Sequence, residues 1–150
     1  MTTLQDIKLR CTEIYEDIKT LLIETGYDSY GQICIVPPGD TIEARTLYYG
    51  LQKYIGELES AGLLMDQILG KETEMGAVTK DVDGNYILHG HPLEGGDVIQ
   101  VFDEEKQCWR ICLLDNSYTD DDPKVVIVKG PQKDLDGVMV RRVKRNQEKA

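Results

Sequence analysis

Two apolar stripes with helical spacing, followed by an abrupt change to an alternating pattern, constrain this 150-residue chain more than any other feature. In the first stripe Leu4, Ile7, Cys11, Ile14, Ile18 and Leu21 are separated by 3, 4, 3, 4 and 3 residues, which places all six on one side of a helix. Thr3 is suited to cap its start by accepting a backbone N–H, and Gly26 to end it in a left-handed conformation. The expected helix runs over about residues 3–25, with Asp6, Lys8, Glu13, Glu16, Asp17 and Lys19 on its other faces.

The second stripe is Ala44, Tyr48, Leu51, Ile55, Leu58, Gly62, Met65 and Leu69, with steps of 4, 3, 4, 3, 4, 3 and 4. It follows the helix-incompatible Pro37-Pro38-Gly39, and Asp40 with Glu43 predicts a capping box at its start. Each stripe needs an apolar partner, and residues 27–39 are long enough to reverse the chain. An antiparallel helical hairpin with a coiled-coil-like seam is expected over residues 1–72. The same stripes also permit a homodimer through the helices. Gly62 marks either a bend or a close helix approach.

Residues 70–76, charged and containing two glycines, read as a domain boundary, because beyond them the period falls from about 3.6 to 2. Asp83-Gly84 is a tight-turn signal, and five strands are predicted near 86–88, 98–102, 109–114, 125–128 and 138–141. Five short strands suit a partly closed barrel over residues 76–143, which leaves 144–150 as a tail. The expected fold class is therefore α+β, a helical hairpin followed by a small five-stranded barrel.

A resemblance sharpens the second half. Leu88, Gly90, Leu93, Gly96, Asp97, Ile99 and Val101, followed by the Trp109-Arg110-Ile111 strand and the Gly137-Val138-Met139-Val140-Arg141 ending, resemble a family of small bacterial domains of unknown function. Such domains look like SH3-type barrels and are frequent in Gram-positive bacteria and their plasmids, phages and integrative elements. The resemblance covers about half of the chain and implies a fold and a mobile-element setting, with no catalytic residue and no cofactor to carry over. The hairpin lies outside it.

Charge excludes some functions. The net charge is −10, with −7 in residues 1–75 and −3 in residues 76–150, so long-range electrostatics oppose nucleic acid and anionic membrane surfaces alike. The exception is local, where Arg141, Arg142, Lys144, Arg145 and Lys149 face only Glu148. These residues form either a solvated last strand and tail or, with Trp109 and Arg110, a nucleic-acid surface on the barrel. No run approaches the ~20 apolar residues of a membrane span, and residues 1–6 lack the basic-then-apolar pattern of a signal peptide. Cytoplasmic localisation is expected, with Cys11, Cys34, Cys108 and Cys112 as thiols.

The sharpest chemical possibility is a metal site. His89 and His91 alternate onto one face of an extended segment, and Cys108 and Cys112 share a face of the Trp109 strand, so adjacent strands would gather a tetrahedral set. The alternative is two core cysteines and two turn histidines. A Cys108–His89 nucleophile pair is the corresponding catalytic option, against which packing is the simpler reading. Ser29, Ser60 and Ser117 lie in no nucleophile-elbow turn, no phosphate-cradling glycine loop is present, and residues 79–90 lack the final carboxylate of a calcium loop. Pairs such as Glu57 with Glu59 and Glu104 with Glu105 have no apolar pocket around them. No catalysis and no cofactor are expected.

Tyrosines concentrate at 27, 30, 48, 49 and 54. Tyr48 falls on the seam, whereas Tyr27, Tyr30, Tyr49 and Tyr54 either pack or form an aromatic surface of the kind that binds proteins. Three readings follow. The first is a non-enzymatic interaction protein whose hairpin engages a protein partner. The second is an acidic inhibitor of a nucleic-acid-binding machine, of the anti-CRISPR or anti-defence type, and the third is nucleic-acid binding through the barrel.

Overall fold

A computed structural model describes residues 1–28, 30–35, 39–117 and 124–144. The expected tail beyond Lys144, including Arg145 and Lys149, the Asp120 to Asp122 run, Ser29 and the Pro37-Pro38 pair lie outside the described residues. The chain divides into two units, Met1–Ile68 and Leu69–Ala150. No helix among the described residues is long and apolar enough to cross a membrane.

The first unit holds helices α1 (Leu4–Glu24) and α2 (Ile42–Leu69). Thr3 caps α1 in a reciprocal box: its hydroxyl accepts from Asp6 N at 3.1 Å while its own N–H donates to the Asp6 carboxylate at 2.9 Å. Gly26, at φ +61°, ends the helix, and Tyr27 N–H returns to Leu22 O at 3.1 Å. At the start of α2 the cap is Thr41, whose hydroxyl accepts from Ala44 N at 3.1 Å. Asp40, the expected cap, lies one residue too early for that geometry and offers its carbonyl to Arg45 instead.

The helices run antiparallel. A Cβ built at Gly62 would lie 3.8 Å from Tyr15 and 3.9 Å from Ile18, one at Gly56 would lie 3.1 Å from the Tyr27 hydroxyl, and Ile33 O accepts from Tyr48 OH at 3.1 Å. Partners thus move down α2 as the chain moves up α1. Gly62 serves the close approach. The inward face of α1 is set by buried Tyr15 and Ile18, so the expected stripe is rotated: Leu4, Ile7 and Ile14 are exposed.

Among its described residues the second unit contains eight strands, three more than expected: β1 (Lys71–Ala77), β2 (Thr79–Lys80), β3 (Tyr86–Leu88), β4 (His91–Pro92), β5 (Val98–Asp103), β6 (Cys108–Asn116), β7 (Val125–Lys129) and β8 (Met139–Lys144). Neighbouring strands pair antiparallel in a five-stranded sheet ordered β1-β8-β5-β6-β7 and a three-stranded sheet ordered β2-β3-β4. Residues 70–76 are therefore mostly an edge strand rather than a linker, and Lys144 belongs to β8, opposite Lys71, rather than to a tail. No pairing between β1 and β7 closes the larger sheet among the described residues.

One core links the two sheets: Ile99, Val101, Cys112, Leu114, Ile127 and Val140 from the larger, with Val78, Leu88, Leu93 and Leu135. Burying such side chains stabilises a fold by about 1.5–3 kcal/mol each. The Gly96-Asp97 turn feeds this core. Gly96 sits at φ +91°, Asp97 accepts from Glu94 N at 2.9 Å, and Ile99 and Val101 then point inward.

Candidate functional site

The three arginines of the expected basic surface, Arg110, Arg141 and Arg142, are paired with carboxylates from elsewhere in the sheet unit. Register places Arg141 on β8 beside Gln100 on β5 and Met75 on β1. Its guanidinium lies 4.6 Å from the Trp109 ring centroid, its Nε donates to Gln100 Oε1 at 2.8 Å, and Glu72 is 3.8 Å away. Arg142 is held between Glu74 at 2.7 Å and Asp97 at 3.2 Å. Arg110 pairs with Asp103 at 3.3 Å, and the Asp103 carboxyl is held below its ordinary value by the Lys106 and Glu105 amides and by Arg110. Trp109 itself packs edge-to-face on Phe102 at 5.2 Å. Three of the residues expected to contact phosphate thus already hold anionic partners, which among the described residues leaves Lys144, exposed at the end of β8.

His89, His91, Cys108 and Cys112 are not brought together. Among the described residues no three His, Cys, Asp or Glu side chains converge to hold a metal. Cys112 is fully buried in the core, and burial pushes its thiol up. Gly130 covers it so closely that an added Cβ would sit 2.8 Å from the sulfur. His89 instead lies against Gly76, its Nε2 2.9 Å from Met75 O, while His91 is exposed in β4. Cys108, the cysteine of the expected nucleophile pair, is half-buried at the start of β6 and opposite Asp103 in register, and the two histidines flank the turn at Gly90, at φ +79°.

The tyrosines do not form one surface. Tyr27 is partly buried with its hydroxyl against Gly56, and burial followed by the charges of Glu59 and Asp28 raises its phenol. Tyr30 is exposed in the linker. Tyr49 stacks edge-on against Tyr48 with centroids 5.1 Å apart, and the five-residue step from Tyr49 to Tyr54 turns the two about 140° apart around α2.

What the tyrosine reading missed is a second apolar stripe on α2. Leu47, Leu51, Tyr54, Leu58, Ala61, Met65 and Ile68 step by 4, 3, 4, 3, 4 and 3, about a quarter turn from the inward Tyr48, Ile55 and Gly62. Leu47, Leu51, Tyr54 and Ile68 are 45–63% exposed. The single seam expected for α2 had drawn Leu51, Leu58 and Met65 from this second stripe. Tyr15 was the other omission: its ring is buried and its hydroxyl donates to the Asp66 carboxylate across the hairpin.

No protein-family model, curated protein or solved structure matches this chain.

Proposed function

We propose that the protein is a non-enzymatic interaction protein in which the sheet-bearing unit is a rigid SH3-like platform and the helical hairpin makes the contact. The bacterial mobile-element setting implied by the resemblance belongs to this proposal. One observation carries it: α2 holds one apolar stripe against α1 and leaves a second, uncharged stripe exposed. Contiguous apolar surface of this kind marks association sites. The resemblance of residues 88–101 to small bacterial SH3-like domains supports the platform, as does the single core shared by two sheets.

The test is capture from the host by tagged full-length protein beside a Leu47→Asp, Tyr54→Asp variant, with Trp109 emission checking that the sheet unit is intact. Both positions are mostly solvent-exposed, so the substitutions strike the surface rather than the seam. A protein captured by the wild type and lost with the variant is expected. Capture indifferent to the added charges, or turnover of a substrate by the purified protein, would sink the proposal.

The inhibitor reading retains one supporting feature. Asp6, Glu13, Asp17 and Glu24 are exposed along the face of α1 opposite Tyr15 and Ile18. Competition with DNA or RNA for a basic target, collapsing steeply with salt, would favour mimicry over an apolar contact. Nucleic-acid binding through the sheet loses its support with the pairing of Arg110, Arg141 and Arg142.

A further inference from the structure

We infer that the occupant of the exposed α2 stripe is a second copy of this chain, packed antiparallel about a twofold axis at Leu58. This rests on the interaction reading above and names its partner. Such an axis pairs Leu47 with Ile68, Leu51 with Met65, Tyr54 with Ala61 and Leu58 with itself, so the stripe is its own complement. The largest side chain of the row falls opposite the smallest, which is how facing layers interdigitate without voids.

The rest of the hairpin fits the same arrangement. On α1, Ile7, Ile14 and Leu21 are offset from the inward face in the same rotational sense as the α2 stripe is from its own. For antiparallel helices equal senses land on the same side of the pair, so both stripes contribute to one broad apolar face. Six of its side chains, Ile7, Ile14, Leu47, Leu51, Tyr54 and Ile68, are 45–63% exposed, an extended row of the kind that fills the ~800 Å² per partner of a stable complex. Two hairpins joined there make a four-helix bundle.

Charge selects a like partner over an oppositely charged one. Residues 1–68 carry a balance of −6, yet none of the seven stripe positions is Asp, Glu, Lys, Arg or His, and Asp6, Glu13, Asp17 and Glu24 lie on the outer face of α1. A basic partner would be drawn to that outer face. A second copy meets the uncharged one and keeps its own carboxylates away from it. The residual like-charge repulsion, Glu57 beside the axis included, makes association strengthen as salt screens it.

Sedimentation equilibrium of the full-length protein tests this directly. The expected species is a dimer of the 17.0 kDa chain, tighter at high salt than at low. Tyr54→Ala and Ala61→Tyr are each expected to weaken the dimer about tenfold or more, one by a void and one by a clash. The double variant returns most of that loss, because the axis sets each altered position against the other. A monomer at every concentration and salt overturns the inference, as does a double variant no better than the worse single one. A monomer that still loses its captured partner in the Leu47→Asp, Tyr54→Asp variant leaves the interaction reading standing without the second copy, whereas a monomer with no such partner removes both.

Discussion

Among the described residues eleven apolar side chains are buried in the sheet-bearing unit and four in the helical unit, and sixteen of the twenty-one exposed large hydrophobics lie in the helical unit. The sequences of the two units do not differ enough in apolar content to explain this. The difference is one of layers. The larger sheet has the smaller one to cover its inner face, so Leu88 and Leu93 meet Ile99 and Leu114 in a shared interior. Two helices offer each other a single interface, and a helix with two apolar stripes keeps one of them in solvent. The sheet unit is thereby complete as a hydrophobic core, whereas the hairpin leaves an apolar face uncovered.

The largest expected effect breaks the comparison at its stronger side. Leu114 is fully buried, and Leu114→Ala is expected to destabilise the sheet unit by about 3 kcal/mol through lost burial and a cavity. The single tryptophan, Trp109, reports that unit, while far-ultraviolet circular dichroism is dominated by α1 and α2. Urea unfolding of the variant should move the tryptophan transition and leave the helical one near its original midpoint. Coincident transitions that shift together would show one cooperative unit instead of two.

The same chemical change is expected to have opposite signs in the two units. Gly130 occupies φ +122°, and an added Cβ would lie 2.8 Å from Cys112 Sγ and 2.9 Å from Ile111 O. Gly130→Ala should cost about 2 kcal/mol or more from backbone strain and overpacking. Gly50 lies inside α2 with nothing within 4 Å of the added atom. Gly50→Ala should therefore stabilise the helices by about 1 kcal/mol, the usual difference between these residues in a helix interior. Thermal melts of both variants settle the signs, and a destabilising Gly50→Ala would mean that this position is already covered.

The ends of α1 were legible because Thr3, Asp6 and Gly26 act through their own neighbours. Strands β3, β5, β6, β7 and β8 were legible because alternation is a local pattern. Strand β1 was not: Lys71, Glu72 and Glu74 look like linker residues, yet charge is what a sheet edge carries, and its pairing with β8 comes from some seventy residues away. The basic cluster was misjudged for a related reason. Arg142 and its partners Glu74 and Asp97 are brought together only by folding. On the helices, a search for one stripe stepped from Ile14 to Ile18 past Tyr15 and merged two stripes of α2 into one.

The smallest expected effect concerns pH, and it too separates the units. Among the described residues of the sheet unit, three carboxyls are held below their ordinary value of 3.8 by neighbouring donors: Asp81 by the Asn85 and Asp83 amides, Asp103 by those of Lys106 and Glu105, and Asp134 by the Asp136 amide and the Tyr86 hydroxyl. The hairpin has one such group, Asp6 at its Thr3 cap. A carboxyl depressed in the folded state stabilises fully above its unfolded value, and that contribution fades as pH falls through the lower folded value. Acidification below about pH 4 should therefore erode the tryptophan-reported stability by more than the helical signal. Asp81→Asn keeps a side-chain oxygen for the Asp83 and Asn85 amides but removes the titration, so the variant should lose less of its stability between neutral pH and about pH 3 than the wild type does. An acid limb of unchanged slope in Asp81→Asn would mean that the β2–β3 turn contributes nothing to the pH dependence, and that Asp103 and Asp134 set it instead.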